Sequence, residues 1–189
     1  MILEIVKYGH PMLRQKGAPV EKITPEIKRL IADMFETMHD RHGVGLAAQQ
    51  VGKALQLTVI DVREVTERPS TLEIKDKPAD VNEIMPLVLI NPEIKPVGET
   101  VAAGEGCLSF PEIFAEISRP GSVDVKALNE KLKPVEFRAG GLLSRVIQHE
   151  ADHLNGILFI DRMTKKTKEE IREQLNELQA QTKAELLKK

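Results

Sequence analysis

His149-Glu150-Ala151-Asp152-His153 spells H-E-x-x-H. The stretch reads as part of a helix, which lets two histidines four residues apart converge. They then lie about 40° apart around the axis and one turn apart along it, so both rings can face one metal ion. Glu150, beside the first histidine, can reach a metal-activated water without being a ligand, which is the general-base role in metal-assisted hydrolysis. The stretch predicts a helix at the centre of the fold and a hydrolase.

Working outward, Gly140-Gly141 punctuates the chain before this helix, and Ser122 to Ala127 alternates polar and apolar residues as a half-exposed strand does. Leu57 to Val62 reads as a buried strand, and Val88 to Asn91 resumes one. Between them, residues 63 to 86 are charged and carry Pro69, Pro78 and Pro86, the pattern of a surface excursion or loose hairpin and not of a domain linker. Near the start, Thr24-Pro25 opens a helix, with Thr24 as cap and Pro25 where its missing N–H costs nothing. Ile27, Leu30, Ile31, Met34 and Met38 give that helix one buried face, and it should stop near Gly43. After Asp161, Thr167-x-x-Glu170 predicts a capping box, and Ile171, Leu175, Leu178 and Leu186 mark a narrow apolar stripe. The expected fold is α+β, with small mixed or antiparallel sheets around the H-E-x-x-H helix and a C-terminal amphipathic helix.

The chain has 189 residues, enough for one domain with a hydrophobic core, and its 41% hydrophobic and 30% charged residues are ordinary for a soluble protein. A net charge of −2 gives no case for nucleic-acid or membrane binding, and no apolar run approaches the roughly 20 residues that span a bilayer. The first residues do not read as a secretory signal. Cys107 is the single cysteine, which fits a reducing compartment and predicts a cytoplasmic protein.

A catalytic site of this kind usually has three protein ligands plus water. A third histidine in H-E-x-x-H-x-x-G-x-x-H is excluded, because Gly156 fits but Phe159 stands where the histidine must be. A glutamate from the downstream helix (Glu169, Glu170 or Glu173) stays open. Glu105-Gly106-Cys107-Leu108-Ser109 supplies a better-supported solution: a thiolate suits zinc or ferrous iron, and Cys107, His149 and His153 make an N₂S set. Gly43-Val44-Gly45-Leu46-Ala47-Ala48-Gln49-Gln50 is not a dinucleotide loop, since Ala48 replaces its third glycine. It suits a substrate-side wall, with the Gln50 amide offered to a developing oxyanion.

These three stretches together resemble the peptide deformylase family. Its motifs stand here in order as Gly43 to Gln50, Glu105-Gly106-Cys107-Leu108-Ser109 and Gln148-His149-Glu150-Ala151-Asp152-His153-Leu154, and the resemblance runs from about the N-terminus to Asp161. It implies removal of the formyl group from N-formylmethionine of newly synthesised proteins, with release of formate. It implies one Fe2+ ion held by Cys107, His149 and His153, with Zn2+, Ni2+ or Co2+ able to substitute. Glu150 would be the general base, and Gln50 with the backbone N–H of Leu108 would stabilise the oxyanion. Val44, Gly45, Leu142, Val146 and Ile147, apolar and near the motifs, would form the methionine slot. The catalytic domain would span 1–163, and 164–189 would be its helical extension. The partners would be N-formylmethionyl nascent peptides.

Arg145, one turn before His149, is expected either at the edge of the slot or in solvent. Asp152 is expected to pair with an arginine such as Arg119 or Arg138. His10, His39 and His42 lack partners at ligand spacing and read as surface or turn residues. The last helix, from about Thr164, carries Lys165, Lys166, Lys168, Arg172, Lys183, Lys188 and Lys189 against five glutamates. Two readings of it stand: docking on the body, or binding the ribosome surface.

Overall fold

A computed structural model describes residues 1–188. Lys189, counted above in the basic tail and closing the expected extension, lies outside them. Among the described residues, seven strands join through antiparallel pairs: β1 (Gly45–Ala47), β2 (Leu57–Ile60), β3 (Ser70–Ile74), β4 (Lys77–Ala79), β5 (Leu87–Cys107), β6 (Phe110–Leu128) and β7 (Pro134–Gly140). Their order is β1-β2-β5-β6-β7-β3-β4. The helices are α1 (Pro25–Asp40), α2 (Gly141–Leu154), α3 (Lys165–Glu170) and α4 (Arg172–Leu186). The architecture is α+β around the H-E-x-x-H helix, and no helix among the described residues is long and apolar enough to cross a membrane.

Helix α2 is buried from Leu142 to Leu154, as a helix that runs through a core must be. Ile147, Leu143 and Val146 pack with Leu72, Val123, Val125 and Phe137 on one side. Its Gln148 is satisfied internally, donating to the Pro120 carbonyl at 2.8 Å and to Ser144 at 3.0 Å.

The excursion at 63–86 does hold a hairpin, β3 with β4, but it is part of the sheet. Strand β3 pairs with β7, and Leu72 enters the core. The same segment closes the N-terminus of α2: the Pro69 carbonyl accepts from Leu142 N–H at 3.0 Å, and Ser70 Oγ accepts from Leu143 N–H at 3.0 Å. These are two of the four amides that a helix start leaves unpaired. Gly141 makes the approach feasible, since it has φ +63° and a Cβ there would lie 2.2 Å from the Pro69 oxygen.

Helix α1 starts as expected, Thr24 Oγ1 accepting from Ile27 N–H at 3.3 Å. At the other end of the chain the expected cap shifts. Thr164 caps α3, accepting from Thr167 N–H at 3.1 Å, so Thr167 lies inside the helix. The helical tail is also interrupted at Ile171 (φ −106°, ψ 8°). The stripe docks on the body: Leu175 is buried, and Ile171 and Leu178 pack with it against Leu13, Phe110 and Phe159.

Candidate metal centre and active site

Cys107 arrives at the end of β5, and the short connection that pairs it with Phe110 holds it in place. His149 and His153 arrive from consecutive turns of α2. The Cys107 sulfur lies 3.3 Å from His153 Nε2, and the donor atoms of Cys107, His149 and His153 all lie within 4.8 Å of one another. In a tetrahedral N₂S site the donors are about 3.3–3.6 Å apart, so this set needs only small adjustment to close on one ion. The donor chemistry also fits, because a thiolate and two imidazoles select a borderline divalent ion such as Fe2+ or Zn2+ over Mg2+ or Ca2+.

His149 Nδ1 lies 3.0 Å from Glu105 Oε2, which fixes the ring and leaves Nε2 for the cluster. Glu105 is the hub of a buried charge network. It receives Arg119 at 2.6 and 3.0 Å and Arg145 at 2.8 Å. Burial pushes the Glu105 carboxyl up, but hydrogen bonds from His149 and Arg119 outweigh it and bring it down to about 2. Burial likewise opposes the charge on His149, yet its contacts with Cys107 and Glu105 raise its pKa well above the usual value. His153, buried and close to His149 and Arg119, is held well below it.

Asp152 completes the network, accepting from Arg119 at 2.9 Å and from Arg162 at 2.7 Å. Arg119 is thus its partner, whereas Arg138 pairs with Asp124 on the sheet surface. Arg145 does both more and less than expected. It lines the active-site cavity, but its guanidinium is pinned by Glu105, the Ile117 carbonyl at 2.8 Å and the Val101 carbonyl at 2.7 Å.

Glu150 is buried, and its Oε2 has no protein partner among the described residues. Burial raises its carboxyl to about 7, where a carboxylate becomes an effective base at neutral pH. Gly45 lies against it: a Cβ at that position would meet Glu150 Oε1 at 2.5 Å and Val146 Cγ1 at 2.9 Å. Gln50 is anchored by its Oε1, which accepts from Ala47 N–H at 2.8 Å. Its amide nitrogen is then turned to the Cys107 sulfur at 3.5 Å and to Ser109 Oγ at 3.3 Å.

A cavity of about 1200 Å³ opens on this cluster, with Val44, Gly45, Leu142, Val146, His149 and Glu150 in its wall. Leu108 and Gln50 also face it. Ile147 does not: it is buried in the core between α2 and the sheet. Adjacent helical residues diverge by about 100°, so Val146 reaches the cavity from the edge of the core while Ile147 stays inside it. Glu169, Glu170 and Glu173 are exposed on the helical tail and take no part in the cluster. His10 caps a short 3-10 turn, His39 lies 3.3 Å from Asp61, and His42 lies in a turn at the cavity rim.

The sequence reading missed Glu105. The available signal was its place two residues before Cys107 on a strand, which puts both side chains on one face.

The sequence model of the family described as polypeptide deformylase matches residues 2–169. A curated relative, the peptide deformylase of Methylacidiphilum infernorum, is 48% identical over 178 residues, covering 94% of this chain and 93% of its own. The crystal structure of Arabidopsis thaliana peptide deformylase 1B in complex with an inhibitor is similar with a TM-score of 0.82 at 36% identity, covering 97% of this chain and 93% of that one. A peptide deformylase from Synechococcus elongatus, solved in complex with actinonin, is similar with a TM-score of 0.75 at 38% identity, covering 95% and 85%. With its three motifs gathered in one cavity and relatives this close over nearly its whole length, the chain belongs to the peptide deformylase family of hydrolases.

Proposed function

We propose that this protein removes the formyl group from N-formylmethionine at the start of newly synthesised proteins, using Cys107, His149 and His153 to hold one Fe2+ ion, with Zn2+, Ni2+ or Co2+ as substitutes. An ion held there supplies Lewis acidity, which lowers the pKa of a water and polarises a carbonyl. Glu150 takes the proton of the attacking water. The new C–O bond forms at the formyl carbon as negative charge grows on its oxygen. The Gln50 amide and the Leu108 backbone N–H donate to that oxygen, each worth about 2.7–4 kcal/mol of barrier by comparison with similar donors. Glu150 then gives its proton to the leaving nitrogen, the C–N bond breaks, and formate and a free α-amino group leave.

Val44, Gly45, Leu142 and Val146 would take the methionine side chain, and the buried stem of Arg145 would close the slot beneath it. Ile147 acts behind that wall as core. Residues 1–163 would form the catalytic domain, and 164–189 its helical extension.

The observation that carries this reading is a buried Glu150 carboxylate with an unpartnered oxygen at a cavity that opens on a cluster of one thiol and two imidazoles. The test is formate release from a formyl-Met dipeptide by metal-loaded protein. Release that disappears in Glu150→Ala with metal retained supports the reading, and no formate above background from the wild type refutes it.

A further inference from the structure

The cavity that holds the catalytic cluster is larger than one formylated methionine needs, and at about 1200 Å³ it exceeds the roughly 300–1000 Å³ of ordinary small-molecule sites. Part of its wall comes from the far end of the chain. Thr182, Glu185 and Leu186 of α4 line it together with the N-terminal segment from Leu3 to Lys7. The two segments lie side by side. Gly9 lies against Gln179, Val6 packs in the same cluster as Leu178, and the residues before Val6 border the same cavity as the helix beyond Thr182.

The position of this wall is fixed from both ends. Leu175 and Thr182 are buried, and the Thr182 hydroxyl donates to the Leu178 carbonyl at 3.0 Å. Val6 N–H donates to the Gln50 carbonyl and Tyr8 N–H to the Ser109 carbonyl, both at 2.9 Å, which ties the N-terminal segment to the loops that carry the catalytic groups. Half-buried Leu186 faces the cavity from the last turn of α4, where a solvated tail would leave it free. The family match ends at residue 169, so the α4 side of this wall is outside what that match supplies.

We propose that the C-terminal end of α4, through Glu185 and Leu186, is the distal wall of the substrate groove and contacts peptide residues downstream of the formylmethionine. This rests on the deformylase reading and extends it. The preferred substrate is a formylated peptide of several residues, and α4 sets how strongly the downstream part is held. A dipeptide ends before that wall and a hexapeptide runs along it.

The experiment compares kcat/KM for a formyl-Met hexapeptide with that for a formyl-Met dipeptide. It uses the metal-loaded full chain, a chain ending at Lys183, which keeps Leu175, Leu178 and Thr182, and the single substitution Leu186→Ala. The proposal expects the hexapeptide-to-dipeptide ratio to fall at least fivefold in the shortened chain and at least twofold in Leu186→Ala, with the change in KM. A ratio that stays within 1.5-fold in both overturns it. So does a shortened chain that loses activity only on ribosome-bound nascent chains, since that outcome makes the helix a ribosome contact. Failure of the wild type to deformylate even the dipeptide would refute the underlying deformylase reading instead, so the two failures are distinct.

Discussion

Glu105 Oε2 lies 3.0 Å from His149 Nδ1, so one buried carboxylate orients a histidine proposed as a metal ligand while also neutralising Arg119 and Arg145. Breaking such a buried ionic group by removing one partner is costly, typically about 3–5 kcal/mol, because the remaining charges stay buried. We expect Glu105→Gln to destabilise the protein by roughly that amount and to lower metal affinity by about 10–100-fold. Urea unfolding and metal titration check both. A stability loss under about 1 kcal/mol would mean that the network relaxes without the charge.

The same carboxylate makes the metal-free protein acid-labile. Its folded pKa of about 2 lies below the ordinary 4.5, so the unfolded chain takes up the proton first as pH falls. Its stabilisation is complete above about 4.5 and is lost as pH drops through about 2. Thermal unfolding of the apo-protein between pH 6 and pH 2 should show a steep fall in Tm over that window, shallower in Glu105→Gln. Parallel curves for the two proteins would contradict this.

Glu150→Gln preserves shape but removes the proposed base. Loss of a general base typically costs about 10²–10⁴-fold in rate, so kcat should fall by that factor while metal stoichiometry is unchanged. Retained kcat would assign the proton transfer elsewhere.

Gly45→Ala tests the close approach of β1 to α2. The added methyl would lie 2.5 Å from Glu150 Oε1, so the carboxylate has to move. Because catalysis depends on a base held in place to within fractions of an ångström, kcat/KM should drop at least about tenfold with metal retained. Unchanged kinetics would show that the Glu150 side chain has room to retreat.

Much of the site was legible in the sequence because chemistry spelled it. His149 and His153 carry their own spacing rule, and Cys107 is the only sulfur that can join them as a thiolate. The Thr24 cap and the apolar face of α1 were legible for the same local reason. What escaped depends on pairing across long separations. No local pattern says that β3 pairs with β7 and that Pro69 and Ser70 close the start of α2. Arg145 stayed open between solvent and slot because its fate was decided by carbonyls on β5 and β6. Ile147 and Val146 are neighbours in sequence and in the core, and only the helical rotation between them brings Val146 alone to the cavity. At the tail, Thr164 and Thr167 both precede helix-favouring residues, and only the break at Ile171 shows how the stripe is seated.

The most direct test of the central claim, that a sulfur from β5 and two imidazoles from α2 hold one divalent ion, is X-ray absorption spectroscopy at the metal edge on anaerobically purified protein. The account predicts about one metal ion per chain with one sulfur scatterer near 2.3 Å and nitrogen or oxygen scatterers near 2.0–2.1 Å, the sulfur signal vanishing in Cys107→Ser. A wild-type spectrum with no sulfur in the first shell would contradict it.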